Sequence, residues 1–144
     1  MNIIICGAGK VGFSISKQLS AQGHSITVID QSSEDIKKIN ETQDVKGVVV
    51  RATFPSVLEN AGAAKTDMII AVTKNDETNM IICQLAHSLF SINKKIARIR
   101  SKEFLDSKWS RLYNKSNLPI DVIISPEVEV AKSLFRKLEA PGAL

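Results

Sequence analysis

The chain has 144 residues and a mass of 15.8 kDa, the size of one ordinary domain, with 44% hydrophobic and 24% charged residues. This composition is typical of a globular protein with a real core, and no apolar run approaches the roughly 20 residues that a membrane span needs. Two cysteines exclude a disulfide framework, and a net charge of +4 does not demand a nucleic-acid partner. We expect a cytoplasmic protein that binds no nucleic acid.

The first predicted elements are a strand, a glycine-rich turn and a helix. An apolar strand covers residues 2–6, and apolar residues recur at helical spacing over residues 11–19. A second strand begins at residue 25 and ends at Asp30. Ser32 or Ser33 then caps a second helix, which has acidic residues in its first turn and extends to residue 41.

The middle of the chain continues the alternation of strands and helices. A third strand is predicted over residues 46–51, and Pro55 opens a short helix that ends at residue 60. A fourth strand over residues 67–72 is a continuous apolar run, which suits burial on both faces of a sheet. Asn75 or Asp76 caps a long helix that reaches about residue 90.

The last third holds a fifth strand, an irregular helix and loop, a short sixth strand and a final helix: residues 95–100, 102–118, 122–124 and 127–138. Alternation of this kind predicts an α/β fold with one doubly wound, Rossmann-type parallel sheet of six strands. The predicted strand order is 3-2-1-4-5-6, with ligands at the carboxyl ends of the strands.

Six residues after the first strand, Gly7-Ala8-Gly9-Lys10-Val11-Gly12, fit the pattern G-x-G-x-x-G. A strand before it, a helix after it and an acid at the end of the next strand form the context in which this pattern binds a dinucleotide. Gly7 permits a tight turn, Gly9 lets the backbone approach a pyrophosphate, and Gly12 lets the helix pack closely. Unpaired amides at the helix start suit a phosphate, and Lys10 either adds charge at the rim or is simply solvated.

Asp30 is the candidate for the acid that reads the ribose. It lies 23 positions beyond Gly7, close to the roughly 20 expected of that acid. Its carboxylate can accept hydrogen bonds from both ribose hydroxyls and would repel a 2′-phosphate, and no arginine follows in Gln31-Ser32-Ser33. These features favour NAD(H), ATP or ADP over NADP(H); the alternative is that Asp30 only starts a turn.

Residues that would transform a nucleotide are not recognisable in the sequence. His24 falls in a turn at the far side of the sheet and His87 falls late in a helix, positions typical of surface or packing residues. Cys83 and His87 are spaced i, i+4, but no third ligand has a recognisable spacing, so we expect no metal site. We expect no enzyme; a small NAD-dependent oxidoreductase and a Rossmann-type redox-sensing transcriptional regulator remain alternatives.

Five further segments carry a family resemblance: Leu58-Glu59-Asn60-Ala61-Gly62-Ala63, Asp67-Met68-Ile69-Ile70-Ala71-Val72-Thr73, Asp76-Glu77-Thr78-Asn79-Met80, Ala97-Arg98-Ile99-Arg100-Ser101, and Pro119-Ile120-Asp121 through Ile124-Ser125-Pro126-Glu127. In this order and spacing they resemble the regulator-of-potassium-conductance (RCK, or KTN) domains of bacterial potassium uptake proteins. The similarity extends from residue 1 to about residue 142.

The resemblance implies a cytoplasmic regulatory subunit, peripheral at the inner face of the cell membrane. It would sense NAD(H), ATP or ADP and gate a membrane-embedded, potassium channel-like partner through rearrangement of a homodimer or a higher ring assembly. It also implies a nucleotide-binding domain over residues 1–125, then a crossover helix and hinge over residues 126–144 that would lead to a C-terminal subdomain. The apolar stripe of that helix would cross to a neighbour, with packing against its own sheet as the alternative.

The resemblance adds binding residues beyond the glycine loop and Asp30. Val72 and Thr73 lie at the tip of strand four, and Arg100 is preferred over Arg98 for the distal phosphates, with a structural salt bridge as the competing interpretation. After strand three the family commonly has Gly-Asp-Ala-Thr, so Arg51 is a departure that could stack on the base, reach a phosphate or weaken NAD selectivity. The predicted binding residues are Gly7, Ala8, Gly9, Lys10, Val11, Gly12, Asp30, Gln31, Arg51, Ala52, Thr53, Val72, Thr73, Asn75, Glu77 and Arg100.

Overall fold

A computed structural model describes residues 1–51 and 53–125. Its six strands are β1 (Asn2–Cys6), β2 (Ser25–Asp30), β3 (Lys46–Val49), β4 (Met68–Ala71), β5 (Lys94–Arg98) and β6 (Val122–Ile124). All pairings are parallel, and the strands form one sheet in the order β3-β2-β1-β4-β5-β6. The predicted fold class and strand order are confirmed.

The helices are α1 (Lys10–Ala21), α2 (Ser33–Thr42), α3 (Pro55–Asn60), α4 (Asp76–Phe90) and α5 (Lys102–Leu105), with short 3-10 helices at Ala63–Lys65 and Ser107–Leu112. Ser32 is the cap of α2, because its hydroxyl accepts from the amide of Asp35 at 3.2 Å. Asn75 caps α4 in the same way, with its side-chain oxygen 2.7 Å from the amide nitrogen of Thr78. Within the described part of the chain, no helix has both the length and the apolar character of a membrane span.

Strands β3 and β5 end two residues earlier than predicted. Val50 still donates to the carbonyl of Asp30 at 3.0 Å, but Arg51 has left the sheet. After β5, the amides of Arg100 and Ser101 bond to the carboxylate of Asp76 rather than to a neighbouring strand. Arg100 therefore lies in the segment after β5, whereas the sequence pattern placed it within the strand.

Two apolar layers cover the two faces of the sheet, because successive strand residues point to opposite faces. Ile3 and Ile5 face α1 and α2, whereas Ile4 and Cys6 face α3 and α4. Both cysteines are buried and free, which suits small apolar packing residues. Helices on both sides leave the carboxyl ends of the strands as the open edge of the fold.

The outer edge of β3 is occupied by a side chain. The Asn40 amide oxygen accepts from the backbone nitrogen of Gly47 at 2.8 Å, and its nitrogen donates to the Gly47 carbonyl at 3.3 Å. A Cβ on residue 47 would lie 2.7 Å from that Asn40 oxygen, so a side chain there would displace the Asn40 amide from this position.

The predicted final helix over residues 127–138 and the hinge that follows it lie outside the described residues, as does Ala52.

Candidate functional site

A cleft of about 700 Å³ opens at the carboxyl ends of the strands, where the sequence placed the ligand. The glycine turn after β1 forms its centre. The segments after β2 and β3 form one side, and those after β4 and β5 form the other. Twelve of the predicted residues line it: Gly7, Gly9, Lys10, Val11, Asp30, Gln31, Arg51, Thr53, Val72, Thr73, Asn75 and Arg100.

Three predicted residues do not line the cleft. Ala8 is buried and instead donates its amide to Asp30. Gly12 lies under the turn, where a Cβ would overlap the carbonyl oxygen of Gly7, so its role is close packing. Glu77 is exposed in the first turn of α4.

Other lining residues were not predicted: Cys6, Ile29, Ser32, Asp35, Val50, Lys74, Thr78 and Arg98. Most of them adjoin a predicted residue at the end of a strand or the start of a helix. The predicted topology already put these positions at the carboxyl edge of the sheet, and that placement could have identified them as lining residues. Arg98 is different, because it is buried within β5 and yet reaches the cleft.

The glycine turn presents bare backbone to the cleft. Gly7 has φ +120°, and a Cβ there would lie 2.6 Å from the Val72 carbonyl oxygen, so the turn requires glycine. A Cβ on Gly9 would meet nothing within 4 Å. Gly9 is the N-cap of α1, and that helix has neither a side-chain cap nor an acidic residue in its first turn. The first amides of α1 are therefore available to an anion at this edge.

Asp30 connects the glycine turn to the start of α2. One carboxylate oxygen accepts from the Ala8 amide at 2.7 Å and the other from the Ser32 amide at 2.8 Å. Asp30 does start a turn, but it also lines the cleft and fixes the glycine turn. Each carboxylate oxygen can accept a further bond, which leaves capacity for two ribose hydroxyls.

The thiol of Cys6 borders the cleft but is not a nucleophile. Burial and the neighbouring Asp30 carboxylate raise the pKa of Cys6 to about 12, so the thiol stays protonated at neutral pH. Burial likewise raises the pKa of the Cys83 thiol. His24 and His87 do not line the cleft, and residues 1–51 and 53–125 contain no cluster of three or more His, Cys, Asp or Glu that could hold a metal.

The side of the cleft formed by β4 and β5 is held by Asn79, which is fully buried in α4. Its oxygen accepts from the Thr73 amide at 2.9 Å and from the Thr73 hydroxyl at 2.7 Å. Its nitrogen donates to the Arg98 carbonyl at 2.8 Å and to the Thr73 carbonyl at 3.2 Å. All four hydrogen-bonding positions of this amide are used.

Positive side chains outnumber negative ones around the cleft. Among the described lining residues, the cations are Lys10, Arg51, Lys74, Arg98 and Arg100, and the anions are Asp30 and Asp35. A concave site with this excess attracts anionic ligands and raises their local concentration.

Comparison with known proteins gives a family match: residues 3–126 match the TrkA-N domain. The Trk system potassium uptake protein TrkA of Azorhizobium caulinodans is 43% identical, and that of Haemophilus influenzae is 42% identical, over 144 residues. Each alignment covers 100% of this chain and 31% of the relative, so the chain spans about a third of the length of these relatives. A TrkA homolog of Pyrococcus abyssi is 34% identical, over 99% of this chain and 62% of its own.

Solved structures share the fold. The TrkA-N domain of the inner membrane protein ybaL from Escherichia coli superimposes with a TM-score of 0.73 at 19% identity, covering 96% of both chains. The GsuK channel bound to NAD gives a TM-score of 0.68 at 20% identity, over 85% of this chain and 21% of the channel chain. The sheet order, the glycine turn at the cleft and the match over residues 3–126 together identify this chain as a member of the TrkA-N domain family.

Proposed function

We propose that this chain is the nucleotide-binding regulatory domain of a potassium uptake system and that it binds NAD(H), ATP or ADP in the cleft. The carrying observation is the open space beside Gly9 at the uncapped start of α1, next to the Asp30 carboxylate. Support for the potassium role comes from the names of the relatives, which are potassium uptake proteins. A structural neighbour is described as an NAD-bound channel.

The proposed orientation of an adenine nucleotide follows from the groups that line the cleft. The ribose would lie at Asp30, on the side of β2 and β3, and the first phosphate would meet the amides of α1 beside Gly9. The rest of the ligand would extend over the tips of β4 and β5, where Lys74, Arg98 and Arg100 line the cleft. The excess of cations favours ligands that carry several negative charges.

Arg51 would lie near the base, because it follows the strand beside Asp30. Its guanidinium has only donors, so it suits a phosphate oxygen or the face of a base rather than the amino group of adenine. This residue would set which of the nucleotides binds best.

Regulation would follow from differential affinity. A nucleotide can shift a homodimer or a ring between two arrangements only by the difference in its affinity for them. That shift would gate a membrane-embedded potassium channel-like partner, with this domain at the inner face of the membrane. No catalysis is assigned, since the described cleft residues include no histidine and the Cys6 thiol is held neutral.

Gly9→Ala tests the binding site without disturbing the fold. A methyl group at residue 9 meets no protein atom, so the variant should melt at or slightly above the wild-type temperature. The same methyl would occupy the phosphate position, and we expect affinities for NAD, NADH, ATP and ADP to fall by about tenfold or more in calorimetric titrations. Wild-type affinity in Gly9→Ala would contradict the proposed phosphate position.

Turnover separates the regulatory proposal from the oxidoreductase alternative. NADH oxidation is measured with the chain and a panel of carbonyl substrates, and we expect no rate above background. Sustained turnover would replace the regulatory proposal with an enzymatic one.

A further inference from the structure

We propose that Asn79 is a positioning residue that fixes the half of the cleft formed by the tips of β4 and β5. The inference rests on the proposed nucleotide site. It states that one buried amide fixes the geometry of the half of the cleft formed by β4 and β5. Asn79 does not line the cleft; it acts through Thr73 and Arg98, which do.

First, the side-chain amide of Asn79 uses all of its hydrogen-bonding positions. Three of its four hydrogen bonds go to Thr73, to the amide, the carbonyl and the hydroxyl, so this residue is held by both its backbone and its side chain. The fourth, to the Arg98 carbonyl at 2.8 Å, ties the same amide to the end of β5. Because the site is fully buried, no water replaces a lost partner without rearrangement.

The second step is the support that α4 gives to the segment after β5. The Asp76 carboxylate accepts from the amides of Arg100 at 3.0 Å and Ser101 at 2.9 Å. Asp76 and Asn79 are three residues apart on α4 and thus lie on one face of the helix. Together they fix the backbone from the Arg98 carbonyl to the Ser101 amide, the segment in which Arg100 lies.

The third step is the separation of the two halves of the cleft. All Asn79 contacts lie on the side of β4 and β5, whereas Asp30 lies at the end of β2, across the glycine turn. A ligand that ends at the first phosphate therefore stays within the half that Asn79 does not touch. A dinucleotide must also occupy the half that Asn79 holds.

The experiment compares AMP, which carries one phosphate, with NAD, which carries a second phosphate and nucleoside. Each is titrated calorimetrically into the wild-type chain and into Asn79→Ala. We expect Asn79→Ala to weaken NAD by about tenfold and to leave the affinity for AMP within about twofold.

Lys95→Met is the matched control. Lys95 is also buried and lies in β5, but its ammonium bonds to the carbonyls of Ile92 and Asn93, in the loop between α4 and β5 at the opposite end of the strand. This control should lower the melting temperature and leave the ratio of NAD to AMP affinity unchanged.

Asp76→Asn is a second variant, at a partly exposed position. It removes one of the two carboxylate oxygens that accept from the amides after β5. It should shift the ratio of NAD to AMP affinity in the same direction, and it decides the question if Asn79→Ala does not fold. Equal losses for AMP and NAD in Asn79→Ala, or an unchanged ratio in a folded variant, would overturn the inference. A wild-type chain that binds neither ligand would instead remove the proposed nucleotide site itself.

Discussion

Gly9 and Gly12 are both glycines of the same motif, but one is open to the cleft and the other is closely packed. Gly9 faces open space at the start of α1, whereas Gly12 packs on the carbonyl of Gly7. The motif predicts that Gly9 leaves room for a ligand and that Gly12 lets the helix pack closely. The distances around the two Cβ positions agree with this difference and assign Gly12 to stability.

Gly12→Ala should therefore destabilise the protein. The added methyl overlaps backbone rather than a flexible side chain, so α1 must move away from the turn, at a cost of about 1–3 kcal/mol. Chemical denaturation of Gly12→Ala beside Gly9→Ala measures the difference. Equal unfolding free energies in the two variants would contradict this assignment.

His24 gives a prediction for the pH dependence of stability. Its ring nitrogen Nδ1 lies 3.0 Å from the N-terminal ammonium, and burial, followed by that positive charge, lowers the pKa of His24. The unfolded chain thus binds a proton more readily than the folded one, so stability decreases as the pH falls through the ordinary value near 6.5. His24→Gln should flatten that decrease in thermal melts between about pH 5 and pH 7. An equally steep decrease in the variant would show that another group is responsible.

Among the elements, strand β5 is held near both of its ends by buried polar groups. Asn79 bonds to the end of β5 near the cleft, and Lys95 bonds to the carbonyls of Ile92 and Asn93 at the other end. Lys95 also lies 3.4 Å from a carboxylate oxygen of Asp121, which in turn accepts the backbone amide of Lys95. These contacts tie β5 to α4 near the cleft and to the loop after α4 at the other end of the strand.

Lys95→Met should lower the free energy of unfolding by about 2 kcal/mol, because the buried carbonyls and the Asp121 carboxylate lose a donor. Lys94→Met is the control at the adjacent, less buried lysine, where we expect a change within about 0.5 kcal/mol. Urea denaturation of both variants measures the two changes. A loss in Lys94→Met as large as that in Lys95→Met would indicate a general effect of removing charge.

The elements also show how far the sequence can be interpreted. The strand order follows from the alternation of strands and helices along the sequence. The helix caps follow from local patterns, such as Ser32 before α2 and Asn75 before α4. Asn79 lies in one of the segments that carry the family resemblance, but no local pattern indicates its contacts, because a polar residue within a helix is usually solvated. Only the fold brings it to Thr73 and Arg98, which are 25 residues apart.

The proposed function requires that a bound nucleotide change how copies of the domain associate. The chain spans about a third of the length of the TrkA proteins of Azorhizobium caulinodans and Haemophilus influenzae. Small-angle scattering with and without NAD and ATP should give different dimer or ring dimensions for at least one nucleotide. Identical dimensions in all conditions, with binding demonstrated, would contradict the gating part of the proposal.

The Asn40 side chain has a consequence beyond the single domain. An outermost strand offers unused amide and carbonyl groups that can recruit a strand from another molecule and start aggregation. At Gly47 the Asn40 amide already occupies one such pair, so an incoming chain would have to displace it. At this residue, the edge of β3 is thereby shielded from pairing with a strand of another molecule.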